Sequence, residues 1–145
     1  MRTVIALFLL LISALPVMAD TPPTITIDGQ LFAVIRQSPL DIVTTNSQAV
    51  NQITISPNDK TVVIVAHRDL AGQSFYTLRV GSIVTLTDGQ SITRYEITNV
   101  TVTGPNYAVS RRTFRQANKI IFITCYTIGG NPSGGRLVVT GKEIK

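Results

Sequence analysis

Lys119-Ile120-Ile121-Phe122-Ile123-Thr124, and its counterpart Thr61-Val62-Val63-Ile64-Val65-Ala66, are the two stretches that decide the fold. Each is a nearly unbroken apolar run of strand length. A strand with one face in water alternates polar and apolar residues, whereas a continuous run marks a strand covered on both faces. Both are therefore expected at the centre of the core. Cys125 follows the first run directly and His67 the second, and they are the chain's only cysteine and only histidine.

Outward from these runs the sequence stays rich in Val, Ile and Thr, and no stretch sustains a 3.6-residue apolar period. Further strands are predicted at Thr24–Ile27, Leu31–Arg36, Ile53–Ser56, Ile83–Thr87, Ile92–Thr103 and Arg136–Thr140. Turn signals separate them: Asp28-Gly29, Pro57-Asn58-Asp59, Asp88-Gly89, Gly104-Pro105-Asn106 and a loop over Tyr126–Gly135. Asp88-Gly89 between β-branched runs is the best hairpin signal, because glycine supplies the positive φ such turns require. Only Asp69–Leu78 and Ser110–Asn118 read as short helices. Together these features predict an all-β barrel or sandwich.

The first residues are read separately. Met1-Arg2, an apolar run from Val4 to Leu15 and the exit Val17-Met18-Ala19 make residues 1–19 a signal peptide or N-terminal anchor, with cleavage expected after Ala19. Residues 20–145 then have the length of one domain, exported and extracytoplasmic. The net charge of +5 includes one dense basic cluster, Arg111, Arg112, Arg115 and Lys119. It fits a solubilising surface or an anionic envelope polymer, and no aromatic-interleaved motif beside it points to nucleic acid.

One cysteine and one histidine exclude a disulfide framework and a Cys/His zinc site, and the scattered Asp and Glu offer no calcium cluster. No metal or cofactor is expected. Cys125 could be an apolar filler, an intermolecular disulfide partner, an incidental thiol or a nucleophile. Its place at the expected mouth of a central strand, matched by that of His67, gives the last option a chemical use. An imidazolium within hydrogen-bond reach stabilises a thiolate and later protonates a leaving amine. Arg136, opening the next apolar run, would bring a permanent charge to a developing oxyanion. Asp69 is near His67 in sequence and is expected to cap the following turn.

Ile121-Phe122-Ile123-Thr124-Cys125, followed eleven residues later by Arg136 in Gly-Gly-Arg-Leu-Val-Val-Thr-Gly, resembles the sortase signature Thr-Leu-x-Thr-Cys with its downstream Arg. Val62 to Arg68 is similar to that family's apolar strand ending in Gly-His-Arg, with Ala66 in place of Gly. Phe75 to Val84 is similar to its Phe-x-x-Leu-x-x-Gly-Asp-x-Val stretch, with Ser82 in place of Asp. The resemblance covers about residues 60 to 144.

It implies a closed or nearly closed β-barrel of about eight strands with one or two short helices. It also implies a cysteine transpeptidase that cleaves a sorting motif resembling Leu-Pro-x-Thr-Gly near the C-terminus of an exported protein. Cys125 would form the thioester, His67 would protonate the departing amine, Arg136 would hold the oxyanion, and Thr124 would contact substrate. The partners implied are sorting-motif proteins and an amine acceptor in the cell envelope, either a cell-wall precursor or a pilin, with membrane association through the N-terminal segment. Hydrolysis follows where water replaces the amine. A catalytically silent barrel binding peptide or envelope polymer is the alternative reading.

Overall fold

The computed structural model describes residues 21–38 and 41–145; the expected leader, residues 1–19, lies outside the described residues. Eight strands close into a barrel in the order β1-β2-β3-β4-β7-β8-β6-β5. They are β1 (Thr24–Ile27), β2 (Gln30–Gln37), β3 (Ala49–Ile53), β4 (Val62–Val65), β5 (Ile83–Asp88), β6 (Ser91–Thr103), β7 (Lys119–Ile128) and β8 (Asn131–Ile144). Two short helices interrupt them, a 3-10 helix at Ala71–Thr77 and α1 at Arg111–Phe114.

The two decisive runs are β4 and β7, and they pair in parallel, Val62 with Ile120 through Val65 with Ile123. Parallel strands cannot be joined by a tight turn, so the 3-10 helix, β5, β6 and α1 all fall between them. Ile120, Ile121 and Phe122 are buried in succession, as are Val63 and Ile64, so both faces of this pair are covered as the unbroken apolar pattern requires. Ile25, Val34, Val50, Ile64, Phe122 and Val139 meet inside the barrel. Phe75 of the 3-10 helix closes one end, meeting Phe122 edge-on with ring centroids 5.1 Å apart, a geometry that adds about 1 kcal/mol to simple burial.

The Asp88-Gly89 hairpin forms as expected, with Asp88 facing Ser91 across the β5–β6 turn. Three local expectations need correction. β3 is Ala49–Ile53, earlier than the Ile53–Ser56 segment, where Asp59 instead accepts from the backbone amides of Ile55 and Ser56 in a turn. Tyr126–Gly135 is not a loop but the tip of the long β7–β8 hairpin. Its turn is Gly129-Gly130, both at positive φ (57° and 78°), the backbone that a two-residue hairpin turn needs. Cys125 and Arg136 therefore lie inside paired strands rather than at the mouth of one and the start of the other.

Ser110 caps α1 by accepting from the Thr113 amide, but the helix ends after four residues. It packs at the start of β4, where the Lys60 and Thr61 amides donate to the Phe114 carbonyl. This places Arg111, Arg112, Arg115 and Lys119 at the end of the barrel where β4 and β7 begin, opposite the end that carries Cys125.

Candidate active site

Side chains of β7 alternate between barrel interior and exterior. Ile120, Phe122 and Thr124 point inward, and Ile123 and Cys125 share the outer face with Val65 of β4. Two residues beyond the Val65/Ile123 pair on each chain stand His67 and Cys125, His67 just past the end of β4 and Cys125 still within β7. On the other side of β7, Cys125 faces Arg136 directly in the antiparallel register. His67, just past β4, Cys125 on β7 and Arg136 on β8 thus stand in a row along one side of the barrel. They border a cleft of about 210 Å³ whose remaining walls are Val43, Val65, Ala66, Ile123 and Thr124.

Cys125 is a free, half-buried thiol. His67 Nε2 lies 3.2 Å from the carbonyl of Val43, in the β2–β3 connection. A carbonyl only accepts, so this contact places a proton on Nε2 and leaves Nδ1 as the accepting nitrogen of the neutral ring. The main chain of His67 is held by two amides, those of Leu70 and Gly72, which donate to its carbonyl at 3.1 and 3.0 Å. Gly72 can approach so closely because it lacks a side chain: a Cβ there would sit 2.5 Å from both His67 O and Thr124 Oγ1.

The guanidinium of Arg136 donates to the carbonyls of Gly135 (2.8 Å) and Ser133 (3.2 Å), which hold it over the β8 end of the row. Thr124 is buried, 3% exposed, and its hydroxyl donates to the Ala66 carbonyl at 2.8 Å. It therefore ties β7 to the chain just before His67.

Asp69 does not cap the following helix, whose cap residue is Leu70 without a side-chain bond. It forms an ion pair with Arg68 at 2.7 Å. That hydrogen bond holds the Asp69 carboxyl below, and the Arg68 guanidinium above, their ordinary values. Arg68 also reaches Thr127 Oγ1 at 2.7 Å, bracing the segment after His67 against the β7–β8 hairpin. Arg68 and Tyr76, whose hydroxyl donates to the Cys125 carbonyl at 2.6 Å, are contacts that sequence reasoning missed. Arg68 stood beside His67 in the family-like segment, whereas nothing local marks Tyr76. Among the described residues, no three of His, Cys, Asp and Glu gather as metal ligands, and no helix is long and apolar enough to cross a membrane.

Residues 32–144 match the family model of the sortase domain. The chain belongs to the sortase family. Solved sortases share its fold at low sequence identity. The sortase D5 transpeptidase of Clostridium perfringens superposes with a TM-score of 0.61 at 22% identity, over 86% of this chain and 79% of that one. Sortase C1 of Streptococcus agalactiae gives 0.64 at 18%, over 85% and 66%. The Clostridium perfringens sortase C described with the C-terminal cell wall sorting motif gives 0.60 at 21%, over 84% and 69%. A search of curated proteins finds no match. The family is one of cysteine transpeptidases that act outside the cytoplasm. In this sortase, the single cysteine lies on the central strand of the fold.

Proposed function

We propose that this sortase cleaves a sorting motif near the C-terminus of exported proteins through a thioester on Cys125 and passes the acyl group to an amine of the cell envelope. The observation that carries the reading is the row His67, Cys125 and Arg136 beside an apolar cleft. With the Cys125 proton passed to His67, the thiolate Sγ attacks the scissile carbonyl carbon, the oxyanion is held by the Arg136 guanidinium, and the C–N bond breaks as the His67 imidazolium gives a proton to the departing amine and returns to the neutral ring. The acceptor amine then loses a proton to His67 as it attacks the thioester, and the Cys125 thiolate leaves. Water in place of the amine gives hydrolysis.

Val43, Val65 and Ile123 offer an aliphatic wall with few polar groups, which suits an apolar side chain of the motif upstream of the scissile bond. Arg136 must leave its bonds to Ser133 and Gly135 in part to reach substrate; neutral carbonyls are weaker partners for a guanidinium than an oxyanion is. Thr124 supports this chemistry chiefly by holding Ala66, and with it His67, against β7. The relatives' sorting-motif recognition favours protein substrates, and the leader-like residues 1–19 favour an extracytoplasmic site of action.

The test is product analysis with purified protein, a Leu-Pro-x-Thr-Gly-type peptide library and a nucleophilic amine. Ligated product that rises with amine concentration supports transfer. Cleavage without ligation at any amine concentration would make the protein a hydrolase, and absence of both would support a binding barrel.

A further inference from the structure

The parallel ladder between β4 and β7 stops just short of the nucleophile. The Ala66 amide donates to the Ile123 carbonyl at 3.4 Å. Carbonyls two apart point to the same edge of a strand, so the next one on this edge belongs to Cys125. There the chain after β4 has already turned away, its Leu70 and Gly72 amides both given to His67 O. On the opposite edge the β7–β8 register shifts between Tyr126 and Ile128, so the strand loses regular pairing just past the thiol.

Tyr76 fills the vacated place. Its hydroxyl donates to the Cys125 carbonyl at 2.6 Å, and its ring stacks on Tyr126, centroids 5.8 Å apart and planes 13° from parallel. The neighbouring Phe75 and Leu78 are fully buried, which anchors the short helix that presents the ring. Burial also raises the phenol above its ordinary value, so the hydroxyl remains a donor throughout the neutral range.

We propose that Tyr76 is a positioning residue, its hydroxyl standing in for the missing β4 amide and holding the end of β7 in strand geometry so that the Cys125 thiol stays in the row with His67 and Arg136. The inference rests on Cys125 being the nucleophile. Tyr76 is not among the residues lining the cleft; its hydrogen bond is to the Cys125 main chain. Tyr76→Phe keeps the ring, the stack and the packing and removes only the donor.

The test measures thioester formation with a Leu-Pro-x-Thr-Gly-type peptide at a temperature where wild type and Tyr76→Phe are both folded. The expected result is a roughly tenfold lower maximal rate, the scale of one lost hydrogen bond, with KM unchanged within about twofold. Replacement of Tyr76 by 4-aminophenylalanine, which restores an N–H donor, should recover most of the rate. A Phe variant as fast as wild type, a loss confined to KM, or no rescue would each overturn the proposal. Alkylation of Cys125 by iodoacetamide provides an arm without peptide. If wild type forms no thioester, the transpeptidase reading fails, yet alkylation several-fold slower in Tyr76→Phe would still support positioning and an equal rate would overturn it.

Discussion

Cys125 and Arg136 are direct partners across the antiparallel β7–β8 pair, so a thiol and a permanent cation share one face of the sheet by register rather than by loop placement. Arg136→Ala should lower thioester formation by about 10² to 10³, the usual cost of removing an oxyanion donor. Circular dichroism should be unchanged, because the side chain bonds only hairpin carbonyls. Arg136→Lys keeps the charge but not the planar fork, so it should recover only part of the rate.

Thr124 links the two central strands through its bond to the Ala66 carbonyl. Thr124→Val keeps the shape and leaves that carbonyl without its donor, at a cost of about 1–3 kcal/mol. Thr124→Ser retains the hydroxyl and should lie much closer to wild type. Urea denaturation of the two variants checks the difference, which should appear in the midpoint and not in the slope.

Gly72 is the tightest approach in the site. Gly72→Ala would force a methyl into the His67 carbonyl and the Thr124 hydroxyl at 2.5 Å, and overpacking of this kind costs about 1–3 kcal/mol. Because the displaced atoms carry His67, acyl transfer should fall by more than the stability change alone explains. Activity assayed at equal folded fraction separates the two effects.

The Arg68–Asp69 pair sets a pH limit with a definite sign. Asp69 has a folded value below its ordinary one, first because of its hydrogen bond to Arg68. Its contribution is therefore complete above the unfolded carboxylate range, near pH 4, and is lost as pH falls through the folded value. Asp69 is exposed and Arg68 partly so, so solvent screening keeps the effect on stability small. Wild type and Asp69→Asn should show parallel pH–rate profiles between pH 5 and 9; a profile whose limb moved in that window would show Asp69 acting on His67 directly.

Much of this architecture was legible because it rests on local patterns. Unbroken apolar runs marked β4 and β7 as the covered centre, and Asp88-Gly89 marked a hairpin. What stayed hidden depends on partners distant in sequence. Asn131 to Gly135 has the composition of a loop, yet it is drawn into β8 because the Gly129-Gly130 turn lets β7 and β8 zip together. The bond from Tyr76 to Cys125 spans 49 residues, and no sequence period can announce it. Thr124 was legible as a neighbour of Cys125 but not as a buried tie, since facing inward or outward is fixed by the closed barrel.

The most direct measurement is intact-protein mass spectrometry after mixing the protein with sorting-motif peptides. The predicted result is a mass increase equal to the acyl fragment, located on Cys125, sensitive to hydroxylamine and absent in Cys125→Ala. A folded protein that acquires no adduct across a broad library of such peptides, while its cysteine remains open to alkylation, would contradict the account.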